Sequence, residues 1–266
     1  MSERRVLFIP DRFADYRMWT GIADRLPGDV EVIHLDQHGQ LPWAGGDAAI
    51  VPLARAVLAA DDCDVVVGAG KACPFAVAVA GAGLARSVVV FEPEVPFDRV
   101  PEDVDLNLDQ PEPDFLAPYE RLVTAMDHAS PPEWRKLLTD IIRETAPPGA
   151  TAAEVDLTTA ITADHAADIR AELLAFAAAS AADRPPPDDA ELAQLEARGQ
   201  WLDRLAALTV PVLTVVSART RFVADTIGRY APQHDAVLTD NHDPLAPGGS
   251  RADAAAAIER LLTRAS

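Results

Sequence analysis

The sequence predicts an α/β protein with a mostly parallel, doubly wound sheet and an inserted all-helical block. Three observations lead there. Short β-branched runs alternate with helical patterns as far as Phe91, strand patterning is absent from Phe115 to Leu205, and it then resumes at Val210. Continuously apolar runs separated by helices indicate a parallel sheet covered on both faces.

In chain order, Val6–Ile9 reads as a strand, Tyr16–Leu26 as a helix and Val30–Leu35 as a second strand. A helix follows over Asp47–Ala60, with Asp47 as its N-terminal cap. Val65–Val67 is a buried strand running directly into an Ala/Val-rich helix, Pro74–Leu84, and Ser87–Phe91 is the next strand. Residues 94–114 then hold eight acids, one base and four prolines, the composition of an extended, exposed segment. Four or five helices fit up to Leu205, broken at Pro131-Pro132, Pro147-Pro148-Gly149 and Pro185-Pro186-Pro187. Strands at Val210–Val216 and Asp235–Leu238 and an amphipathic helix at Arg251–Leu262 complete the chain. The expected organisation is a core of residues 1–93 and 206–266 carrying a helical lid, 94–205.

With 266 residues, 49% of them hydrophobic, the chain can bury a substantial core. Its 23 bases against 42 acids give a net charge of −19, which repels phosphate backbones and anionic lipid. Nucleic-acid and membrane partners are therefore not expected, although the same charge also serves solubility. Cys63 and Cys73 show no metal-ligand spacing, and two cysteines do not make a disulfide scaffold, so a reducing, cytoplasmic setting is expected. No apolar run reaches the ~18 residues of a membrane span, and the N-terminal run is too short for a signal peptide. No metal or cofactor is called for; the expected partner is a small-molecule substrate, and a homodimer stays open.

The turn after Val65–Val67 reads Gly68-Ala69-Gly70-Lys71-Ala72, with small residues two before and two after Gly70. Pro10-Asp11-Arg12 with Met18-Trp19, Asp36-Gln37-His38-Gly39, and Asn241-His242-Asp243 follow in order along the chain. Together these segments resemble the α/β-hydrolase superfamily over roughly residues 5–93 and 208–263, the lid agreeing in position only. The resemblance implies that Gly70 stands where the nucleophile of the sharp strand-to-helix elbow is found, that the family's His-Gly pair has become Pro10-Asp11, and that Thr220 replaces the usual acid. It places His242 where the catalytic histidine stands. Such a chain would be a divergent member without the usual nucleophile.

The chemistry then left is proton transfer. A histidine side chain suits acid/base work, so His242 is the first candidate, against the plain alternative of a surface-loop histidine. Glu92 can orient it, as in certain haloalkane dehalogenases that the segment Phe91-Glu92-Pro93 resembles, or can cap the start of the lid. Asp243 is a weaker candidate for that role. Asp11 can accept a proton or orient a ligand group, or can be ion-paired with Lys71 or Arg219. Gly70 opens the pocket floor, and the Lys71 amide and neighbouring elbow amides can hold a carbonyl, enolate or carboxylate. Arg12 stands at the pocket mouth, and Trp134 is one of four lid residues, with Tyr119, His128 and Trp201, that can face the ligand. Cys73 reads as a small buried hydrophobe rather than a displaced nucleophile. Trp19 reads as core packing.

Three functions follow. The first is a non-hydrolytic enzyme in which His242 drives elimination, isomerisation, cyclisation or water addition on a small apolar metabolite, as in natural-product tailoring. The second is a ligand-binding pseudoenzyme. The third is a noncanonical hydrolase with a displaced nucleophile, either Cys73 or a water activated by His242.

Overall fold

The computed structural model describes residues 4–43, 46–59, 61–104, 121, 124–125, 130–179, 199–231, 233–239, 243 and 245–264. Six strands form one sheet: β1 (Arg4–Ile9), β2 (Val30–His34), β3 (Val65–Ala69), β4 (Val88–Phe91), β5 (Val212–Val216) and β6 (His234–Leu238). Their spatial order is β2-β1-β3-β4-β5-β6, and all neighbours are parallel. Alternate side chains leave the sheet on opposite faces. Leu7 and Ile9, Val66, Val88 and Val90, and Val212 and Val216 enter one core. Val6 and Phe8, Val65 and Val67, Val89 and Phe91, and Leu213 and Val215 enter the other. Burial on both faces explains why these strands read as unbroken apolar runs.

Against the first face pack α2 (Ile50–Leu58), α3 (Cys73–Gly81), the helical residues 199–206 and α7 (Arg221–Tyr230). The second face is covered by α1 (Thr20–Ala23) and α8 (Arg251–Arg264), with Trp19 fully buried between Phe8 and Phe91. The single helix expected over Tyr16–Leu26 is instead a 3-10 turn, Tyr16–Trp19, followed by the one-turn α1. Asp15 starts that tight turn by accepting from the Arg17 amide, and Pro27-Gly28 follows too soon for further turns. Asp47 is not the cap of α2. Gly46, at φ 72°, precedes a 3-10 turn there, while the Asp47 carboxylate pairs with Arg204.

Between β4 and β5 the described residues form α4 (Pro131–Thr145), α5 (Ala152–Asp164), α6 (Ala166–Ala179) and the helical residues 199–206, with no strand among them. Capping boxes start two of these, Ser130 with Glu133 and Thr151 with Glu154. Residues 94–104 carry a 3-10 turn, Phe97–Arg99, as their only regular element, and 105–114 lie outside the described residues. Three carboxylates of α5 and α6 reach cations of the sheet unit: Glu154 to Arg251 (3.2 Å), Asp164 to Arg17 (2.6 Å), and Glu172 to Lys71. Among the described residues no helix is long and apolar enough to cross a membrane.

Candidate active site

The order in which strands are added to the sheet reverses at β1, whose neighbours are β2 on one side and β3 on the other. In open parallel sheets ligands bind at the carboxyl ends of the strands beside such a switch. Here the loops leaving β1 and β3 carry Asp11 and Gly70. The ends of β4 and β5 carry Glu92, Ser217 and Thr220, and Asp243 follows β6.

The β3–α3 turn is as tight as its small residues imply. A Cβ on Gly68 would lie 2.8 Å from the Ala72 carbonyl oxygen and 3.0 Å from the Ala76 Cβ, so a side chain has no room there. Gly70, at the bend, has φ 49°. A Cβ on Gly70 would lie 2.5 Å from Asp11 Oδ2, 2.7 Å from its Cγ and 2.9 Å from its Oδ1. The Asp11 carboxylate therefore fills the space that a side chain at position 70 would use.

Two amides hold it there. The Arg12 N–H donates to Asp11 Oδ1 at 2.7 Å and the Lys71 N–H donates to the same oxygen at 3.0 Å. The Lys71 amide is the one expected to receive a ligand oxygen, and an oxygen of the chain itself already occupies it. No donor among the described residues reaches Oδ2. Asp11 keeps part of its surface accessible although protein encloses most of its surroundings, as at the bottom of a recess. Burial pushes its carboxyl above the usual carboxylate range, against the lowering effect of the two amides and of the Lys71 and Arg12 charges.

Neither side-chain ion pair expected of Asp11 is formed. The Lys71 ammonium goes instead to Glu172 of α6, which also meets Arg12 Nη1 at 3.3 Å. Both cations lie over the ring of Phe13, at 5.1 Å for Lys71 Nζ and 5.4 Å for the Arg12 guanidinium carbon.

Glu92 sits at φ 41°, a conformation that costs a non-glycine residue about 1–2 kcal/mol. Its amide continues the ladder to the Val215 carbonyl (3.0 Å). Its carboxylate accepts from the Ser217 amide through Oε1 and from the Thr220 hydroxyl through Oε2 at 2.6 Å. Glu92 thus reaches across to β5 and presents its acid beside Thr220, where the resemblance expects one. Asp243 is exposed as a residue, while its carboxyl is desolvated. Burial pushes its carboxyl up to about 7, with the charges of Glu92 and Asp11 adding and the Leu245 amide and Arg251 opposing.

His242 lies outside the described residues, as do Tyr119 and His128. Trp134 packs in the small core of α4 and α5, with Leu138 and Ile141, rather than at the elbow. Trp201 is buried in the main core. Cys73 is buried, and its thiol faces the carbonyls of Gly68 (3.4 Å) and Phe91 (3.5 Å). Burial raises the thiol well above its ordinary value, so Cys73 is no thiolate nucleophile. Among the described residues no His/Cys/Asp/Glu group could hold a metal ion.

Comparison with solved structures finds similar folds. An esterase from Rhodococcus sp. ECU1013 superposes with a TM-score of 0.64 at 14% identity, over 99% of this chain and 91% of that one. A loop variant of the haloalkane dehalogenase DbeA from Bradyrhizobium elkanii gives 0.62 at 15% identity, over 99% and 90%. The chain has the α/β-hydrolase fold. MenH from S. aureus is also similar, with a TM-score of 0.53 at 15% identity, over 100% of this chain and 95% of that one. The sequence matches no protein-family model and no curated protein. Within the α/β-hydrolase fold, Asp11 is the contact that brings the β1 loop to the elbow, and Glu172 the one that brings α6. Glu172 escaped the sequence because it meets Lys71 across 101 residues, and no spacing rule reaches that far.

Proposed function

We propose that this chain is a non-hydrolytic enzyme that moves a proton on a small, largely apolar metabolite, by elimination, isomerisation, cyclisation or water addition. Natural-product tailoring is the setting that such chemistry suits. The observation that carries this is the seating of Asp11: one oxygen bound by the Arg12 and Lys71 amides, the other lying over Gly70 in the space a side chain there would take. Acyl transfer needs a nucleophilic side chain at the bend and empty amides for the developing oxyanion. Here the usual nucleophile is missing, and an anion already fills the amides. A substrate carbonyl arriving there would meet a like charge.

Proton transfer needs what is present. Asp11 Oδ2 takes a proton from a substrate carbon, and the amides hold Oδ1 so that the carboxylate does not rotate away. Desolvation raises its basicity, in the direction that favours proton abstraction near neutral pH. His242 returns or supplies the second proton, with Glu92 orienting the ring from its place beside Thr220. General catalysis of this kind contributes roughly 10²–10⁴-fold. Residues 94–205 act as the lid over a core of 1–93 and 206–266, and the protein works in the cytoplasm without a cofactor.

The test is turnover of a panel of small apolar metabolites in D2O, followed by mass spectrometry. Deuterium incorporation or a new double bond without ester cleavage is expected, lost in Asp11→Asn and His242→Ala. Ester cleavage by the unmodified protein, or full turnover by Asp11→Asn, would overturn it.

The same seating favours one second reading, in which Asp11 Oδ2 is a displaced nucleophile: it displaces a leaving group, such as halide, from a substrate carbon, and water then cleaves the resulting ester to the alcohol and the free carboxylate. A single turnover in H2(18)O would then leave heavy oxygen in the peptide containing Asp11, and proton transfer leaves none.

A further inference from the structure

Arg12 and Lys71 come from different loops, one after β1 and one at the elbow, yet both point at a single carboxylate. Each lies over the same face-forming ring, Phe13, and each pairs with Glu172 of α6. Two cations held this close repel one another unless an anion lies between them. The anion present is carried by a helix of the block inserted between β4 and β5, and its side chain is still 34% exposed. The sequence and the elbow geometry account for the amides of Arg12 and Lys71, which hold Asp11. They do not call on the two side-chain charges, which meet at Glu172 instead.

We propose that Arg12 and Lys71 form a subsite for the carboxylate of an anionic substrate, and that Glu172 occupies it until that substrate arrives. The proposal rests on the assignment of the reacting centre to Asp11 and adds the substrate class: a small acid with an apolar body. The body lies against Phe13, the carboxylate bridges Arg12 and Lys71, and the carbon that loses its proton faces Asp11 Oδ2. Arg12 presents a planar fork suited to a carboxylate, and Lys71 a point charge beside it. Because the occupant is tethered rather than covalent, an incoming carboxylate exchanges with it without any bond being made or broken. Displacing Glu172 also frees α6 from the elbow, so binding the substrate and moving the lid are one event.

Equilibrium binding separates this from the catalytic assignment, since affinity survives when turnover does not. The probe is benzoate, with uncharged benzamide as control, titrated calorimetrically into the full chain and its Glu172→Gln variant. Benzoate is expected to bind Glu172→Gln about ten-fold more tightly than the native chain, with benzamide unchanged. The gain should disappear in Glu172→Gln/Arg12→Met and in Glu172→Gln/Lys71→Met. Equal benzoate affinity with and without Glu172, tightening of benzamide to the same degree, or a gain that survives loss of either cation would each overturn the proposal. Hydrogen exchange on the native chain tests it without any variant. Millimolar benzoate, but not benzamide, should speed amide exchange along residues 166–179, and unchanged exchange at saturation would overturn it. If Asp11→Asn abolishes turnover yet binds benzoate normally, both proposals stand. If turnover persists in Asp11→Asn while the benzoate pattern holds, only the catalytic assignment falls.

Discussion

Gly70→Ser would place a hydroxyl at the bend between β3 and α3, and the structure makes it destabilising. The new Cβ would lie 2.5 Å from Asp11 Oδ2 and 2.7 Å from its Cγ, so the carboxylate must leave. Leaving breaks two hydrogen bonds to a charged oxygen, each worth about 1.5–3 kcal/mol. Holding a serine at φ 49° adds about 1 kcal/mol more. Rehydration of the freed carboxylate returns part of this, so a net loss of about 3–4 kcal/mol is expected. For a chain of this size that is a fall in Tm of about 6–16 °C. In an Asp11→Gly background the clash vanishes and only the backbone strain remains, about 1 kcal/mol. A double-mutant cycle by thermal or urea unfolding should therefore give a coupling of about 2–3 kcal/mol between positions 11 and 70. If Gly70→Ser costs the same in both backgrounds, Asp11 does not sit over Gly70 and the derivation fails.

Two further outcomes follow from the other carboxylates. At Glu92, Glu92→Ala loses the bonds to Ser217 and Thr220 while keeping the strained φ, whereas Glu92→Gly loses the same bonds and relieves the strain; urea titration should find the glycine variant more stable by about 1 kcal/mol. For Asp243 the folded carboxyl is raised to about 7 from its ordinary 3.8, so the native state binds the extra proton and stability falls as pH rises between those values. Asp243→Asn removes that penalty, and its Tm should exceed the native chain's at pH 8 but match it near pH 3; parallel melts across the range check this.

Much of the fold is legible in the sequence because its signals are local. Val65–Val67 and Ser87–Phe91 announce buried parallel strands by composition alone, and Gly68, Gly70 and Ala72 mark a turn that only small residues fit. Asp47 shows where local rules stop. As a residue type at the head of a helix it is a sound cap, but Arg204, 157 residues later, offers its carboxylate a full charge. The single helix expected at Tyr16 fails for a similar reason, since Asp15 folds its side chain onto the next turn and selects the tighter 3-10 geometry. At the candidate site the members Asp11, Glu92 and Gly70 could be named in advance, but their arrangement could not. A missing side chain at position 70 leaves a volume that something must fill, and only the meeting of the β1 loop with the elbow shows that Asp11 fills it.

The fastening of the inserted helices has a direction. Glu154, Asp164 and Glu172 supply the negative ends, and Arg251, Arg17, Lys71 and Arg12 the positive ones. In a molecule carrying nineteen surplus negative charges, such a seam turns two pieces that would repel into pieces that recognise each other. A helical block grafted from another protein of this architecture would bring its own charges and lack these three acids, leaving Arg17, for one, with Asp15 alone of its two carboxylates. Whoever remodels the roof of this molecule must therefore carry those three acids across with it, or rewrite the floor to match.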